Sequence, residues 1–102
     1  MTDIDEAPTW SLYIIECADG RFYTGISTDP ARRLLEHRQG GAKAAKALRG
    51  KGPLKMVFSQ PIGDRSAAQS AEYQLKQLKR LEKIKVIDSG CFMAAGSDHA
   101  DP

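Results

Sequence analysis

The chain has 102 residues, 41% of them hydrophobic, which is enough for one compact domain with a single core and too few for two. Its longest apolar run, LYII, is far shorter than the roughly 20 residues that span a bilayer, and the acidic start MTDIDEAPT lacks the pattern of a signal peptide. Two cysteines, Cys17 and Cys91, are too few for a disulfide framework and lack zinc-binding spacing, and the net charge is only +2. We therefore expect a cytoplasmic single-domain protein with idle thiols.

The first predicted elements are two strands, SLYIIEC and RFYTGI, which are rich in β-branched and aromatic residues. Ala18-Asp19-Gly20 joins them, and Gly20 supplies the positive φ that a tight hairpin needs. The two strands therefore predict a β-hairpin at the start of the domain.

The length of the hairpin loop decides where its two tyrosines lie. A two-residue turn pairs Tyr13 with Ile26 and places Tyr13 and Tyr23 on opposite faces. A three-residue loop with a bulge pairs Tyr13 with Gly25 and places both tyrosines on one face. We expect the second arrangement, with Gly25 leaving room beside Tyr13 for a phosphate or a water.

A helix is predicted next, because STDPARRLLEHRQGG carries both a start and a stop signal. Asp29 is the expected N-cap, Pro30 occupies the first helical position, and Gly40 follows the last turn. The expected apolar stripe of this helix consists of Ala31, Leu34 and Leu35.

The remaining chain predicts a loop, a strand and a second helix. Residues 40–53 are expected to form a basic loop with one helical turn, residues 54–59 a third strand, and PIGDR a turn. The second helix is expected to begin at Ser66 with a capping box that ends at Gln69. Its predicted apolar face consists of Ala68, Ala71, Leu75 and Leu78.

The order β-β-α-(basic loop)-β-α predicts a small α+β domain, in which an antiparallel sheet of about three strands is flanked by helices. We expect this domain to cover residues 9–87. Residues 1–8 and 88–102 are rich in small and acidic residues and are expected to be mobile ends.

Charge is distributed unevenly along the chain. Between Arg21 and Lys55 there are nine Lys and Arg residues against two Asp and Glu residues, a balance of +7, and the remainder carries −5. Such a block is either a plain solvated surface or the footprint of a polyanionic partner.

Five side chains stand out as candidates for chemistry: Tyr13, Tyr23, Arg33, His37 and Glu72. Each has an ordinary explanation, since strand tyrosines usually pack, the arginine and the glutamate have opposite charges one helical turn away, and a histidine suits a helix C-terminus. Together, the five residues indicate a functional site more specifically than any one of them does, because Arg33 and His37 are spaced i,i+4 and project from one helix face. Glu72 borders the apolar stripe of the second helix.

In their order, S-L-Y at 11–13, Y-T-G at 23–25, Arg33, His37 and Glu72 resemble the GIY-YIG nuclease domain. The resemblance covers the chain from about Trp10 to Leu81. Within that superfamily, the chain more closely resembles the small stand-alone YhbQ-like members. It implies a metal-dependent phosphodiesterase with magnesium or manganese as the cofactor and DNA as the partner.

The resemblance also implies a role for each of the five side chains. Glu72 corresponds to the carboxylate that holds the metal, and Tyr13 to the tyrosine that takes a proton from the attacking water. Tyr23 corresponds to the second tyrosine, which positions that water, and Arg33 to the arginine that faces the scissile phosphate. His37 corresponds to a histidine that relieves the tyrosine of its proton in some branches. These residue types suit a phosphodiester, whose charge grows in the transition state.

The chain also departs from the family's pattern. It contains no asparagine, whereas several larger relatives use an asparagine after the glutamate. Ile26 stands where repair nucleases have lysine, and Ala47 stands where many relatives have tyrosine. No second domain is expected, so specificity is expected to be low or to come from DNA shape or a partner protein. The expected phosphate contacts in the basic loop are Lys43, Lys46, Arg49 and Lys51.

Three functions stay open on the sequence. The first is a magnesium-dependent nuclease acting on branched or damaged DNA, as in DNA repair. The second is a nucleic-acid-binding module that keeps the scaffold with weak or no catalysis. The third has RNA as the substrate, because nothing in the sequence identifies a reader of the 2′-hydroxyl.

Overall fold

The computed structural model describes residues 8–94. It contains a three-stranded antiparallel sheet in the order β2-β1-β3, formed by β1 (Trp10–Glu16), β2 (Phe22–Ser27) and β3 (Lys55–Gly63). Three helices accompany the sheet: α1 (Pro30–Gln39), α2 (Arg65–Lys76) and α3 (Arg80–Ser89). The predicted α+β class is confirmed. The prediction lacked α3.

The hairpin has the register that the three-residue loop predicts. Cys17 N–H donates to Arg21 O at 2.8 Å, and Tyr13 lies opposite Gly25. Gly20 has a φ of +89°, which a side chain at this position would make unfavourable. The two tyrosines therefore share one face of the sheet, as expected.

Helix α1 has the predicted boundaries. The Asp29 side chain accepts from Arg32 N–H, Pro30 is the first helical residue, and Gly40 closes the C-terminus. Two members of the predicted apolar stripe are wrong, because Leu35 is 54% exposed and Ala31 is exposed as well. Leu34 packs toward the sheet as predicted, and the buried residue of this helix is His37.

Two boundaries after the basic loop differ from the prediction. The expected PIGDR turn is wrong, because β3 continues to Gly63; β3 is an edge strand, where a proline such as Pro61 does not break the ladder. Helix α2 begins one residue before Ser66, because Asp64 rather than Ser66 is the N-cap and accepts from Ala67 N–H at 2.8 Å. The single helical turn expected in the loop is the 3₁₀ helix Lys46–Leu48.

The sheet separates two apolar clusters. Leu12 and Ile14 of β1 pack with Phe58 and with Ala71 and Leu75 of α2. On the opposite face, where side chains alternate with these, the cluster contains Tyr13, Ile15, Cys17, Leu48 and Leu54. The basic loop therefore covers the face that carries the tyrosines, and α2 covers the other.

The C-terminal part of the described chain is packed. Asp88 and Ser89 complete α3, and Phe92 exchanges two hydrogen bonds with the Gln60 side chain. The ordered chain thus extends beyond the predicted limit at residue 87, while residues 1–7 and 95–102 lie outside the described residues. Within residues 8–94 no helix is long and apolar enough to cross a bilayer.

Candidate active site

Tyr13 and Tyr23 come together at the centre of the β1–β2 hairpin. Their ring centroids are 6.4 Å apart, and the Tyr13 side chain is 1% exposed. A Cβ atom at Gly25 would lie 2.6 Å from Tyr13 Oη and 2.7 Å from Cζ. The expectation of free space beside Gly25 is therefore wrong, because the Tyr13 ring itself fills it. Glycine at this position is what lets the phenol lie across β2.

His37 joins this pair from α1. Its Nε2 atom lies 3.1 Å from Tyr13 Oη, and its ring stands edge-on to Tyr23 with centroids 5.6 Å apart. The other ring nitrogen, Nδ1, accepts a hydrogen bond from Ala45 N–H at 3.2 Å. Burial, reinforced by the charge of Arg33, lowers the pKa of His37, so the ring is neutral near pH 7.

These two hydrogen bonds fix the tautomer of His37. A backbone N–H can only donate, so Nδ1 carries a lone pair and the single proton of the neutral ring lies on Nε2. His37 Nε2–H therefore donates to Tyr13 Oη. This arrangement is the opposite of the one that a proton acceptor for Tyr13 requires, and it leaves the phenol proton of Tyr13 directed away from His37.

Arg33 lies one turn before His37 and is held by two acceptors. Its Nη1 donates to Glu36 Oε1 at 2.9 Å and to Lys43 O at 2.7 Å. Its positive charge acts on Tyr13 and lowers the pKa of that phenol. The main chain of the basic loop thus contacts both α1 side chains of the site, through Lys43 O and Ala45 N–H.

Burial nevertheless has the largest effect on the Tyr13 phenol and raises the pKa of Tyr13 to about 12, with Tyr23 adding to the shift. At pH 7 a phenol with that pKa is ionised in about one molecule in 100,000. The free energy needed to form the phenolate at this pH is therefore roughly 7 kcal/mol. The side chains alone therefore do not produce a phenolate, and a further positive charge is needed.

Glu72 stands at the edge of this cluster. Its side chain is 23% exposed and pairs with Lys76 Nζ at 3.2 Å, and its negative charge contributes to the raised pKa of Tyr13. Within residues 8–94, no three His, Cys, Asp or Glu side chains converge as a metal site. One partly exposed carboxylate fits magnesium or manganese, which bind through few protein groups together with waters and phosphate oxygens.

The four predicted phosphate contacts lie in the loop that covers the tyrosine face. Lys43, Lys46 and Arg49 are exposed, whereas Lys51 is half-buried and its carbonyl accepts from Ala18 N–H at 2.9 Å. This loop and the C-terminus of α1 enclose a cavity of about 460 Å³, one wall of which is His37.

Sequence reasoning missed two contributors to this region. Ala45 orients His37 through its backbone N–H, and no side chain signals such a contact. Arg38 donates from Nε and Nη2 to Leu54 O at 3.2 and 3.0 Å and so joins α1 to the end of the basic loop. The only sequence signal for the contact between Arg38 and Leu54 is the position of this arginine directly after His37 in α1.

Comparison with known proteins agrees with the fold. The family model described as the GIY-YIG catalytic domain matches residues 9–85, and the chain belongs to this family. The family places it in the nuclease superfamily. Two relatives narrow the assignment: a UPF0213 protein of Cronobacter sakazakii is 55% identical over 78 residues, and the UPF0213 protein YhbQ of Escherichia coli K12 is 52% identical over 85 residues.

The matches cover 76% of this chain and 80% of the Cronobacter sakazakii protein, and 83% of both chains for YhbQ. Within the superfamily, the chain is therefore a YhbQ-like member. Among solved structures, the UPF0213 protein BH0048 of Bacillus halodurans is 37% identical with a TM-score of 0.51, over 79% of this chain and 84% of that one. The E. faecalis protein EF2693 is 33% identical with a TM-score of 0.56, over 84% and 90%.

Proposed function

We propose that this protein is a divalent-metal-dependent endonuclease that hydrolyses phosphodiester bonds in DNA. The observation that carries the proposal is the Tyr13–His37 pair, in which a buried phenol oxygen accepts from a fixed Nε2–H beside the guanidinium of Arg33. The Nε2–H and the guanidinium next to this oxygen stabilise its phenolate form, and with the further positive charge that a divalent metal would add, the phenolate can take a proton from water.

Each side chain has a defined task in this reaction. Tyr13, in its phenolate form, accepts the proton of the attacking water and becomes neutral. Before that transfer, His37 stabilises the phenolate by donating from Nε2, while Tyr23 packs against both rings and orients the water. Arg33 faces the phosphate that is cleaved. Glu72 would hold magnesium or manganese, which supplies positive charge next to the phosphate and the nucleophile. We expect a preference for DNA of unusual structure or damaged DNA, as in DNA repair, because the phosphate contacts expected from the basic loop carry no sequence information.

A second function, a nucleic-acid-binding module without effective catalysis, is favoured by two observations. The chain has no asparagine, and the pKa of Tyr13 is raised to about 12 rather than lowered. This module would use the same basic loop and would bind DNA or RNA without cutting it.

One experiment separates the two functions. Purified protein is incubated with plasmid, branched DNA, single-stranded DNA and a matched RNA, with magnesium, manganese or a chelator. The nuclease cuts only with metal, and Glu72→Gln and Tyr13→Phe abolish the cutting. Affinity measured with the chelator should stay within about twofold, because neither change removes a basic side chain.

Two matched controls accompany these variants. Lys76→Gln breaks the same ion pair as Glu72→Gln but keeps the carboxylate, and Tyr73→Phe removes the hydroxyl of a tyrosine that is 67% exposed. Both are expected to cut at the wild-type rate. Binding without cutting under every metal condition establishes the module, and cutting by Tyr13→Phe at the wild-type rate removes the role of Tyr13.

A further inference from the structure

We propose that the cavity behind His37 receives one unpaired nucleobase of the substrate strand, so that the enzyme selects DNA in which a base next to the scissile phosphate is free to leave the helix. This inference rests on the proposed nuclease function and specifies its substrate. It follows from the position, the lining and the charge of the cavity.

One side chain, His37, separates the cavity from Tyr13 and Tyr23. His37 forms part of its wall, while Nε2 of the same ring is bonded to Tyr13 Oη. The ring centroids of Tyr13 and His37 are 6.3 Å apart. In the proposed complex, a phosphate at Arg33 therefore lies one helical turn from the cavity wall formed by His37 and Arg38, within reach of a neighbouring base.

The lining suits a flat aromatic ring. Leu48, Pro53 and Leu54 supply apolar walls, and the volume of about 460 Å³ lies within the range of pockets that hold small molecules. Arg38 is also part of the wall, and its guanidinium is fixed there by two hydrogen bonds to Leu54 O. A guanidinium held in one plane is a surface on which nucleobases stack.

The charge of the rim favours a nucleotide over a neutral metabolite. Arg49 lines the cavity with an exposed side chain, and Lys51 follows it two residues later. The lining contains two arginines and no acidic residue. A base within a duplex cannot reach such a recess, whereas an unpaired base enters it at the cost of little or no broken pairing.

The test measures binding of the full chain to three labelled oligonucleotide duplexes by fluorescence anisotropy, with a chelator so that no cutting occurs. One duplex is fully paired, one has a single-nucleotide bulge, and one has the same bulge with an abasic nucleotide. We expect the bulged duplex to bind about tenfold more tightly than the other two, which is the effect of one stacked base. Equal affinity for the bulge with and without its base overturns the proposal.

Two variants assign the effect to the cavity. Gly52 lines the cavity, has no left-handed φ and has no neighbour closer than 3.9 Å to an added Cβ, so Gly52→Leu is expected to fill the space and abolish the preference for the base. Arg49→Ala is expected to weaken binding of the bulged duplex most. Arg32→Ala, which removes an exposed charge of α1 outside the cavity lining, is expected to weaken all three complexes equally. A preference that survives Gly52→Leu places the base elsewhere and contradicts the proposal.

Failure of this proposal is distinguishable from failure of the nuclease function. Metal-dependent cutting without discrimination between base and abasic bulge leaves the nuclease intact and removes the base pocket. Discrimination without cutting removes the nuclease, and with it the scissile phosphate, but retains a pocket for an unpaired base. Absence of binding to all three duplexes removes both.

Discussion

The substitution Gly25→Ala tests the packing that brings the candidate active site together. Its added methyl carbon would lie 2.6 Å from Tyr13 Oη, 2.7 Å from Cζ and 3.2 Å from Cε1. Gly25 lies in β2 without a left-handed φ, so the expected damage comes from this contact and not from the backbone. The Tyr13 ring must move by about 1 Å to restore ordinary distances.

The magnitude follows from what that movement disturbs. A shift of this size lengthens the 3.1 Å contact between Tyr13 Oη and His37 Nε2 beyond hydrogen-bonding distance. Overpacking costs about 1–3 kcal/mol and a lost buried hydrogen bond about 1 kcal/mol, so the free energy of unfolding should fall by about 2–4 kcal/mol. For a domain of this size the midpoint of thermal unfolding should fall by at least about 8 °C.

Urea and thermal unfolding, followed by circular dichroism, measure this loss. Gly52→Ala is the matched control, since its added carbon makes only an ordinary contact at 3.9 Å and should change stability by less than about 1 kcal/mol. A double-mutant cycle with Tyr13→Leu isolates the pair, because leucine lacks the Oη and Cζ atoms that the methyl group meets. If Gly25→Ala costs as much beside leucine as beside tyrosine, the ring does not occupy this space and our explanation of the glycine is wrong.

Three further predictions concern charge. Because the pKa of Tyr13 is raised to about 12, mainly by burial, the neutral phenol contributes stability that is fully present below pH 10 and is lost as pH rises to 12; urea unfolding should show a loss of about 2–3 kcal/mol that Tyr13→Phe lacks. The pKa of His37 is lowered, first by burial and then by Arg33, so its contribution is present above pH 6.5 and is lost as pH falls; the stability of His37→Gln should decline less between pH 7 and 5, and parallel curves would contradict this. If Lys43 and Lys46 contact phosphates, replacing both by glutamine should reduce the slope of log affinity against log salt by about 2, whereas an unchanged slope places the contacts elsewhere.

The parts of the fold that follow from local chemistry were predictable from the sequence. Asp29, Pro30 and Gly40 have the identities that helix ends require, and the boundaries of α1 followed from them. The hairpin register followed in the same way, because Ala18-Asp19-Gly20 fits a three-residue loop and only that loop brings the tyrosines together. In both places the identity of a residue determines the local conformation of the backbone.

Features that depend on packing were not predictable. Helix α3 begins at Arg80 after Lys79, which is not a usual N-cap residue, and its start depends on Glu82, whose side chain accepts from Lys79 N–H at 3.0 Å. The helix buries no residue completely and so lacks a clear apolar stripe. The edge position that lets β3 continue through Pro61 is a property of strand order and is absent from the local sequence. The cavity arises only when the basic loop folds back onto α1.

The proximity of four candidate side chains was predictable, whereas the directions of their hydrogen bonds were not. The spacing of Arg33 and His37 placed both on one side of α1, and the register brought Tyr13 and Tyr23 to meet His37. The direction of the hydrogen bond from His37 depends on the N–H of Ala45, eight residues later, which every non-proline residue possesses. No pattern of side chains reveals such a contact.

The link between the basic loop and the candidate site has a consequence for how this family can diversify. Among the described residues, the loop bonds Arg33 and His37 through main-chain atoms, Lys43 O and Ala45 N–H, so the exposed side chains of Lys43, Lys46 and Ala47 are not needed for these contacts. Ala44, in contrast, is buried and constrained by packing. The exposed positions of the loop can therefore vary while its backbone path is kept, and they are the place to begin engineering new binding specificity into this small scaffold.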